Sequence, residues 1–535
     1  MAAAMDQAES RIRSELGHRL GDVPLELDLD RRQAFSADVY SRGATCLAII
    51  QPRTADELAT AVRSAVELGL PVYPRGAGLT YSSGYLADTR PGVVIDTRAL
   101  NRILDLNPAD MYITVEAGVT WAQIHEALRP HGLRLPCFGT FSGAAATVGA
   151  GLSSGALFFG TARYGTVADS LLGLEVALAD GSLLRTGQAA LTGVSKPAYR
   201  TYGPDLTGPF VHDCGLLGVK SRATFRVIRA PAETGYASFA FPGLAAAAAA
   251  LSEVARAEVA EDAYVFDPGS TRASFEGVDL SRAARALLGA ARAEQNALRG
   301  LGSAVKLALG GLRGVDHDAC SLHLVLAARS AAALAEDLRA CRRIAADLGG
   351  VELPDIVPRG ARASLFPPLN DVLGANGDRW IAVNAKIPHS EVPTLDAEVD
   401  SILQEFAAPL AAAGVRTKKM FIAISNHSFS YEPAFSWADE WLPVHRLYPE
   451  AARLAKFSEP PPNPAARAVI ELARGRLVET FARLGAASNQ IGRLYPYADS
   501  LSTESRQFLA GLKTLLDPQG LLNPGVLGLQ PNGKR

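Results

Sequence analysis

The chain has 535 residues, of which 48% are hydrophobic and 20% are charged, so it can form roughly two to four globular domains and is too apolar to be disordered. Its 53 lysines and arginines nearly balance 55 acidic residues, which argues against a nucleic-acid binder, because such proteins rely on excess positive charge. The five cysteines form no CxxC pair, and no run reaches about 18 apolar residues, so neither a disulfide framework nor a membrane span is predicted. The first 20 residues mix acids and bases and predict a surface helix rather than a secretion signal, which favours a cytoplasmic protein.

The first part of the chain alternates short strands and helices. Residues 44–50 predict a buried strand, and Thr54 with Glu57 predicts a capping box on a helix that ends at Leu68. Further predicted elements are strands at 71–74, 93–96, 112–116 and 172–179, a helix at 120–131 and a closing strand that ends at 228. This order is typical of an α+β domain.

A strand–helix rhythm begins at about Tyr236. Strands are predicted at 237–241, 321–327, 380–388 and 421–431, and helices at 244–257, 330–348, 392–413, 465–484 and 503–516. The pattern predicts an antiparallel sheet with helices on one face. Residues 271–315 are amphipathic and favour an inserted helical pair packed on the sheet, with a membrane-surface or partner helix as the alternative.

Three glycine-rich segments stand out against this pattern. They are PRGAGLTYSSG at 74–84, GTFSGAAATVGAGLSSGALFFGTARYG at 139–165 and the turn at 215–218. Glycine lets a ligand approach the backbone, and consecutive N–H groups in such loops bind anions. The first segment is neither a GxxxxGK[ST] loop nor a GxGxxG that opens a helix, and alone it could be a simple turn. Three such segments in one domain predict a long dinucleotide lying across it.

Together with GPDLTGPFVHDCGLLGVKSRATFRVI and the tail LLDPQGLLNPGVLG, these segments resemble the vanillyl-alcohol-oxidase / p-cresol-methylhydroxylase family. That family of FAD-linked oxidoreductases also includes glycolate oxidase and D-lactate dehydrogenase flavoproteins. The resemblance implies an α+β fold with a two-part FAD-binding domain of the PCMH type and a cap domain whose antiparallel sheet is covered by helices. It implies an N-terminal arm at 1–34, the FAD domain at 35–232, the cap at 233–460 and a C-terminal segment at 461–535 that returns to the FAD domain.

The resemblance also implies which residues bind FAD. The carried-over set is Arg75, Gly76, Ala77, Gly78, Leu79, Ser82, Thr147, Gly149, Gly151, Ser153, Ser154, Tyr164, Gly165, Val219 and Asn523. The first segment lacks the histidine to which some relatives attach flavin, so non-covalent FAD is expected. Cys137 stands in a region where some relatives attach flavin, but its sequence context differs, so we interpret it as an ordinary buried cysteine.

Flavin accepts a hydride, so the protein must orient a substrate and take up its proton. The candidates for this work are His427, Arg493, Tyr431 and Tyr495, with Glu432, Asn384 and Lys386 as further pocket residues. A structural histidine and a surface arginine are the alternatives for the first two. Relatives that oxidise D-2-hydroxy acids carry the metal motifs GHxGDGNxH and EHGIG. Here both are broken, since residues 488–492 read SNQIG, and no metal is expected.

The sequence thus predicts an FAD-dependent oxidoreductase that acts on a small hydroxylated organic substrate. The tail favours an aromatic alcohol or alkylphenol. A 2-hydroxy-acid dehydrogenase without the usual metal and a non-catalytic flavin-binding redox subunit are the alternatives. The partners predicted are the substrate and an electron acceptor, which could be dioxygen, a quinone or a redox protein. No nucleic acid and no integral membrane segment is expected, and a homodimer is left open.

Overall fold

The computed structural model describes residues 12–88, 90–276 and 319–530. We call residues 12–232 the N-terminal unit and residues 233–460 the cap. Strands of the N-terminal unit are β1 Leu25–Glu26, β2 Ala48–Ile50, β3 Val72–Arg75, β4 Val93–Asp96, β5 Ile103–Asn107, β6 Tyr112–Glu116, β7 Leu133–Arg134, β8 Leu171–Ala177, β9 Leu183–Arg185, β10 Val219–Arg226 and β11 Ile228–Arg229. Its α-helices are Gly17–Leu20, Leu29–Phe35, Ala55–Glu67, Trp121–Leu128, Val148–Ser154 and Thr161–Tyr164, and Ile12–Leu16 forms one π-helical turn.

The N-terminal unit contains two main sheets. One has the order β1-β2-β4-β3, in which β2, β4 and β3 are parallel, and the other is the antiparallel sheet β5-β6-β10-β8-β9. The first glycine segment leaves the carboxyl end of β3. Open parallel sheets bind ligands beyond the carboxyl ends of their strands, so this segment starts at a favourable position for a ligand.

The two predicted starts of helices in this unit differ in detail. Thr54 caps its helix by accepting the N–H of Glu57, but the Glu57 carboxylate accepts the N–H of Arg53, so the reciprocal capping box predicted there is wrong. A complete capping box is found instead at the next helix, where Thr120 and Gln123 bond reciprocally. The described part of the predicted N-terminal surface helix is helical from Ile12 to Leu20, with Leu16 and Leu20 buried on one face and Glu15, His18 and Arg19 exposed on the other.

The cap is built on one antiparallel sheet with the strand order β15-β12-β14-β13-β18-β19-β16, in which β17 also pairs with β19. Its strands are β12 Glu233–Phe241, β13 Asp262–Phe266, β14 Cys320–Ala328, β15 Val351–Leu353, β16 Arg379–Ala382, β17 Ala385–Pro388, β18 Arg416–Ile424 and β19 Ser428–Trp437. Helices of the cap and the C-terminal segment are Leu244–Arg256, Pro268–Glu276, Ala331–Asp347, Ile356–Ala363, Val392–Glu405, Ala407–Ala412, Pro443–Leu447, Ala451–Leu454, Pro464–Arg483, Tyr497–Ser500 and Thr503–Leu516.

Two predicted cap strands are wrong as single strands. Residues 380–388 form β16 and β17, and residues 421–431 form parts of β18 and β19 joined by a turn at 425–427. Ser425 has a left-handed backbone with φ of 50°, which reverses the chain without a glycine or proline to signal the turn. The alternation predicted from Phe421 to His427 therefore ends before it reaches His427.

The two faces of the cap sheet have different neighbours. Side chains such as Phe421 and Leu324 belong to an apolar core that includes helix residues such as Leu251 and Leu477. On the opposite face, the Tyr264 ring stacks on Phe158 of the N-terminal unit at 6.2 Å. We call this opposite side the inner face. Cross-strand register places Tyr264, Phe266, Lys386, Met420, Ile422, Ser430 and Glu432 on it.

The strands change sheets between β11 and β12, which supports the predicted boundary near residue 232. The boundaries themselves stay a prediction. Most of the predicted helical insertion at 271–315 lies outside the described residues. Within the described part of the chain, we find no helix with the length and apolar character needed to cross a membrane.

A buried ion network joins the cap to the N-terminal unit. Glu261 accepts from Arg134, at 2.5 Å, and from Arg362, while Asp262 pairs with Arg362 at 3.0 Å and accepts the Gly160 N–H at 2.5 Å. Burial opposes ionisation of Glu261, but the guanidinium groups of Arg362 and Arg134 outweigh it and lower the pKa. The network therefore holds an ionised carboxylate between two cations, one from each unit.

Replacing Glu261 with glutamine should lower the midpoint of unfolding, because the buried guanidinium of Arg134 loses its counter-charge and that of Arg362 keeps only Asp262. The expected loss at pH 7 is about 3 kcal/mol, the usual cost of breaking a buried ion pair from one side. The wild-type advantage should disappear as the pH falls through the lowered pKa of Glu261, where the native carboxylate is protonated too. Thermal unfolding followed by circular dichroism measures both effects. Glu253→Gln is the control, because its pair with Arg256 is half exposed and should contribute below about 1 kcal/mol; equal losses in both variants would contradict the network.

Candidate functional site

The three glycine segments line one open cavity, whose free space is about 970 Å³ when the solvent at its mouth is included. Its wall takes residues from the first segment, from the second segment and the helix Val148–Ser154, and from the third turn and the start of β10. The lining residues are Pro74, Arg75, Gly76, Ala77, Gly78, Leu79, Thr80, Gly84, Tyr85, Thr97, Ala117, Thr140, Ser142, Ala146, Gly149, Ala150, Gly151, Ser153, Ser154, Ala156, Cys214, Gly215, Gly218, Val219, Lys220 and Gln490. A large part of this wall is therefore small residues and backbone, as a closely held ligand requires.

Two glycines allow the three segments to meet. A Cβ on Gly76 would lie 2.4 Å from Thr147 Oγ1 and 3.0 Å from the Ala150 Cβ, so only glycine lets the first segment touch the second. Gly215 has φ of 73°, and a Cβ there would lie 2.4 Å from Pro74 Cγ. Only glycine at this position therefore lets the third turn touch the first segment. The cavity thus depends on side chains being absent at these contacts.

Polar groups on or beside the wall suit a phosphorylated ligand. The buried Thr147 Oγ1, which faces Gly76, has no hydrogen-bond partner within the described structure. Lys220 donates to Ser153 Oγ at 2.8 Å and pairs with Asp213 at 2.6 Å. Arg75 lies over the Phe35 ring at 4.2 Å, with a contact to the Gly76 carbonyl. Two cations and glycine-rich backbone at one cavity can bind a diphosphate.

Most of the predicted cofactor residues line this cavity. They are Arg75, Gly76, Ala77, Gly78, Leu79, Gly149, Gly151, Ser153, Ser154 and Val219. The others lie outside the wall: Ser82, Thr147, Tyr164, Gly165 and Asn523. Gly165 packs on Asp169, and Tyr164 lies beside Arg134. Their contacts to a cofactor stay predictions.

Arg493 and Asn523 tie the loops together rather than lining the cavity. Arg493 donates to the Leu86 carbonyl at 2.8 Å and to Asn523 Oδ1 at 2.9 Å. The Asn523 amide donates to the carbonyls of Gly84 and Cys214, at 2.7 and 2.6 Å, which joins the first segment to the third turn. The guanidinium predicted to bind substrate is thus engaged by the protein itself, and Asn523 acts through the loops that it holds.

Two predicted catalytic residues do not reach the cavity. His427 lies in the exposed turn between β18 and β19, because the strand predicted to carry it has already ended. Tyr431 points to the helical side of the cap sheet and donates to Asp396 at 2.8 Å. Cys137 is buried, with Sγ 3.9 Å from Thr161 Oγ1, and also lies outside the wall.

The sequence missed Lys220 and Gln490 as cavity residues. Lys220 directly follows Val219, a predicted cofactor residue, and this adjacency is the signal that could have identified it. Gln490 belongs to the SNQIG segment, in which the broken metal motif gives no signal for a cavity residue. Among the described residues, no group of three or more histidines, cysteines or acidic residues could hold a metal ion.

Residues 487–493, which we call the seam, connect the cavity to the cap. Lys386 and Ala487 form a β-bridge, and Asn489 donates its N–H to Asn384 Oδ1 at 2.5 Å. Gln490 donates its N–H to the Ser154 carbonyl at 2.7 Å and also lines the cavity. The inner face of the cap sheet therefore borders the cavity along the seam.

An acidic group and two phenols lie at this border. Glu432 is half-buried on the inner face, and the structure gives its carboxylate no hydrogen bond or ion pair with the residues that it describes. Burial raises the pKa of Glu432 to about 7, and the positive charge of Lys418 only partly opposes this. Burial, together with the nearby Glu432 charge, raises the pKa of Tyr81 and of Tyr495. Tyr495 accepts the Asn384 N–H at 2.7 Å, so this predicted residue is held in the cluster.

Aromatic rings form a continuous wall between the two units. Phe141 contacts Phe158 edge-on at 5.6 Å, Phe158 stacks on Tyr264, and Tyr264 contacts Phe266 at 5.2 Å. Phe141 is flanked by Thr140 and Ser142, which line the cavity. Planar, apolar groups can therefore pack beside it.

Comparison with known proteins assigns the ligand. A family model described as an FAD binding domain matches residues 46–187, which contain the first two glycine segments. A probable mitochondrial D-lactate dehydrogenase of Danio rerio is 30% identical over 215 residues, and the glycolate oxidase subunit GlcD of Bacillus subtilis is 29% identical over 212 residues. These matches cover 39% and 40% of this chain, and 41% and 43% of the relatives. The chain thus spans about two fifths of the length of these curated relatives.

Two solved structures match over nearly the whole chain. A p-cresol methylhydroxylase with bound substrate has a TM-score of 0.72 and 18% identity, and a 4-ethylphenol oxidase from Gulosibacter chungangensis has a TM-score of 0.70 and 18% identity. Each match covers 100% of this chain and 99% of the other. At this identity the likeness concerns the fold, and it confirms the predicted PCMH-type α+β architecture.

This protein therefore contains an FAD-binding domain, and the cavity formed by its glycine segments fits that cofactor in its small-residue wall and its two cations, with the unpaired hydroxyl of Thr147 beside the wall. Its fold is that of the p-cresol methylhydroxylase and 4-ethylphenol oxidase structures described above. The predicted fold and cofactor are confirmed, and the FAD-domain match and the structural neighbours agree with the resemblance seen in the sequence. Non-covalent attachment of FAD stays a prediction.

Gly76→Ala should weaken FAD binding, because the new Cβ would push the first segment away from Thr147 and Ala150. A forced shift of this kind costs about 1–3 kcal/mol, so we expect roughly tenfold weaker binding. Titration of the apoprotein with FAD, followed by flavin fluorescence, measures the change. Gly475→Ala is the matched control: it lies in the helix Pro464–Arg483, and nothing lies within 4 Å of its added Cβ. Unchanged affinity in Gly76→Ala would contradict the close contact of the segments.

Proposed function

We propose that this protein is an FAD-dependent oxidoreductase that takes a hydride from a small hydroxylated organic molecule, with an aromatic alcohol or alkylphenol as the preferred class. The observation that carries the proposal is the seam, along which the wall of the FAD cavity continues into the polar and aromatic inner face of the cap. A substrate held there contacts both a cofactor site and ionisable side chains.

The cofactor, when bound, supplies an acceptor for a hydride from the substrate carbon. The protein must then take up the hydroxyl proton. We assign this role to Glu432, because its carboxylate is partly accessible, has no partner among the described residues and has a pKa raised by burial to about 7. A base with a pKa near the working pH combines a useful ionised fraction with adequate proton affinity. Tyr81 and Tyr495 stay protonated beside it and can donate hydrogen bonds to a substrate oxygen.

The wall of Phe141, Phe158, Tyr264 and Phe266 favours an aromatic substrate. The 2-hydroxy-acid class is the second candidate, because the curated relatives over the matched segment include a probable D-lactate dehydrogenase and a glycolate oxidase subunit. For the electron acceptor we propose dioxygen, a quinone or a redox protein. A cytoplasmic location and a homodimer are part of the proposal, although the name of the Danio rerio relative includes a mitochondrial location.

Anaerobic titration of the FAD-loaded protein tests the function. We expect the visible absorbance of the oxidised flavin to bleach on addition of substituted benzyl alcohols or 4-alkylphenols. Bleaching by D-lactate or glycolate alone would replace the aromatic class with the hydroxy-acid class. If none of these compounds reduces the flavin, the catalytic proposal fails and the chain is a flavin-binding redox subunit.

Glu432→Gln should slow flavin reduction about 100-fold or more, which is the usual contribution of a general base. The wild-type rate should rise as the pH passes through about 7, because only the ionised carboxylate accepts the proton, and this rise should be lost in the variant. Stopped-flow reduction at saturating substrate measures both. The control is Glu352→Gln in β15 of the same sheet, where the carboxylate is exposed and pairs with Arg342. A variant that keeps the wild-type rate and pH profile would remove Glu432 from the mechanism.

A further inference from the structure

Lys386 differs from the other enclosed lysines of the described chain in its lack of a partner. Lys220 pairs with Asp213, Lys419 with Asp396 and Asp400, and Lys513 with Asp517. The structure gives the Lys386 ammonium no hydrogen bond and no ion pair among the residues that it describes. A cation removed from water without a counter-charge is costly, and such a site gains free energy when an anion binds.

The backbone fixes Lys386 at the border of the cavity. Its strand, β17, pairs with β19 so that Lys386 lies opposite Ser430 on the inner face. Its N–H donates to the Ala487 carbonyl at 2.6 Å, at the start of the seam. Three residues further along the seam, Gln490 lines the cavity and bonds to Ser154. Lys386 thus stands where a molecule beside the cofactor would meet the cap.

The Lys386 side chain is largely surrounded by protein, but part of it remains accessible to solvent. Burial lowers the pKa of Lys386 to about 8, and among the residues that the structure describes the acidic group that acts on it is Asp169. That carboxylate already accepts the N–H and the hydroxyl of Thr166. His212 is packed on Gly155 in the second glycine segment, and burial and the charges of Lys386 and Lys220 lower its pKa to about 3, so it is neutral. Lys386 keeps some exposed surface, which leaves a path for a small ligand.

We propose that Lys386 is the anion-binding residue of the substrate site and that the substrate carries a carboxylate or phenolate oxygen. Arg493, the residue that the sequence favoured for this role, is occupied by Leu86 and Asn523, whereas the ammonium of Lys386 is free to donate. This inference rests on the proposed function, because it assigns a charge to the substrate of the same site. It adds a specificity residue that is separate from the proton acceptor Glu432.

Calorimetric titration of the FAD-loaded protein with benzoate and with 4-cyanophenol tests the proposal, and benzyl alcohol serves as the neutral comparison. Lys386→Met should weaken binding of the anionic probe at least about tenfold, since a charge-assisted hydrogen bond is lost. Lys386→Arg should restore most of the affinity. Lys456→Met, which removes an exposed lysine, should bind as the wild type does. Which of the two probes binds distinguishes a carboxylate site from a phenolate site.

Binding of benzoate, which stays ionised throughout this range, should also weaken as the pH rises above about 8 in the wild type, because the ammonium then loses its proton, and Lys386→Met should lack this dependence. The proposal is overturned if FAD-loaded Lys386→Met binds the anionic probe as tightly as the wild type, or if neither anionic probe binds the wild type. One further result distinguishes the two proposals. If anion binding depends on Lys386 but no substrate bleaches the flavin, the oxidoreductase function is wrong and the anion-binding site is supported.

Discussion

The close contact of three backbone segments is the constraint on which the cofactor site depends. Gly76 against Thr147 and Gly215 against Pro74 leave no room for a Cβ, so the cavity exists only while these contacts are kept. Asn523 lies 309 residues further along the chain than Cys214 and holds two of the segments through their carbonyls. A site assembled from such distant segments gains its rigidity from hydrogen bonds that the ligand itself need not supply.

The second requirement is a cap held in a defined position. The buried network of Glu261 and Asp262 with Arg134 and Arg362 joins the two units through charges that have few alternative partners. Buried ion pairs contribute modest net stability, but their geometry is demanding. The inner face of the cap is therefore held in one position relative to the cavity. Glu432 and Lys386 lie on neighbouring strands of that face.

The sequence predicted the parts of this arrangement that local chemistry determines. Strands at 93–96 and 112–116 and the helix at 503–516 have their predicted bounds, and the glycine segments identified the cavity because close backbone contact requires that residue. Tertiary packing determines the rest. Alternation along β19 predicts that Tyr431 and Glu432 point to opposite faces of the sheet. It does not tell which face the helices cover, so the sequence alone does not show that Glu432, and not Tyr431, faces the cavity. The turn at Ser425 lacks glycine and proline, which hid the break before His427.

The seam has a thermodynamic consequence. Through Ala487 and Asn489 it belongs to the cap sheet, and through Gln490 it belongs to the cavity wall, so the two regions share one short stretch of backbone. Occupancy on one side then restricts the conformations available on the other. Linkage is reciprocal, so whatever the substrate contributes to retention of the flavin, the flavin contributes equally to affinity for the substrate. An empty nucleotide cavity and a poorly ordered substrate site should accompany each other.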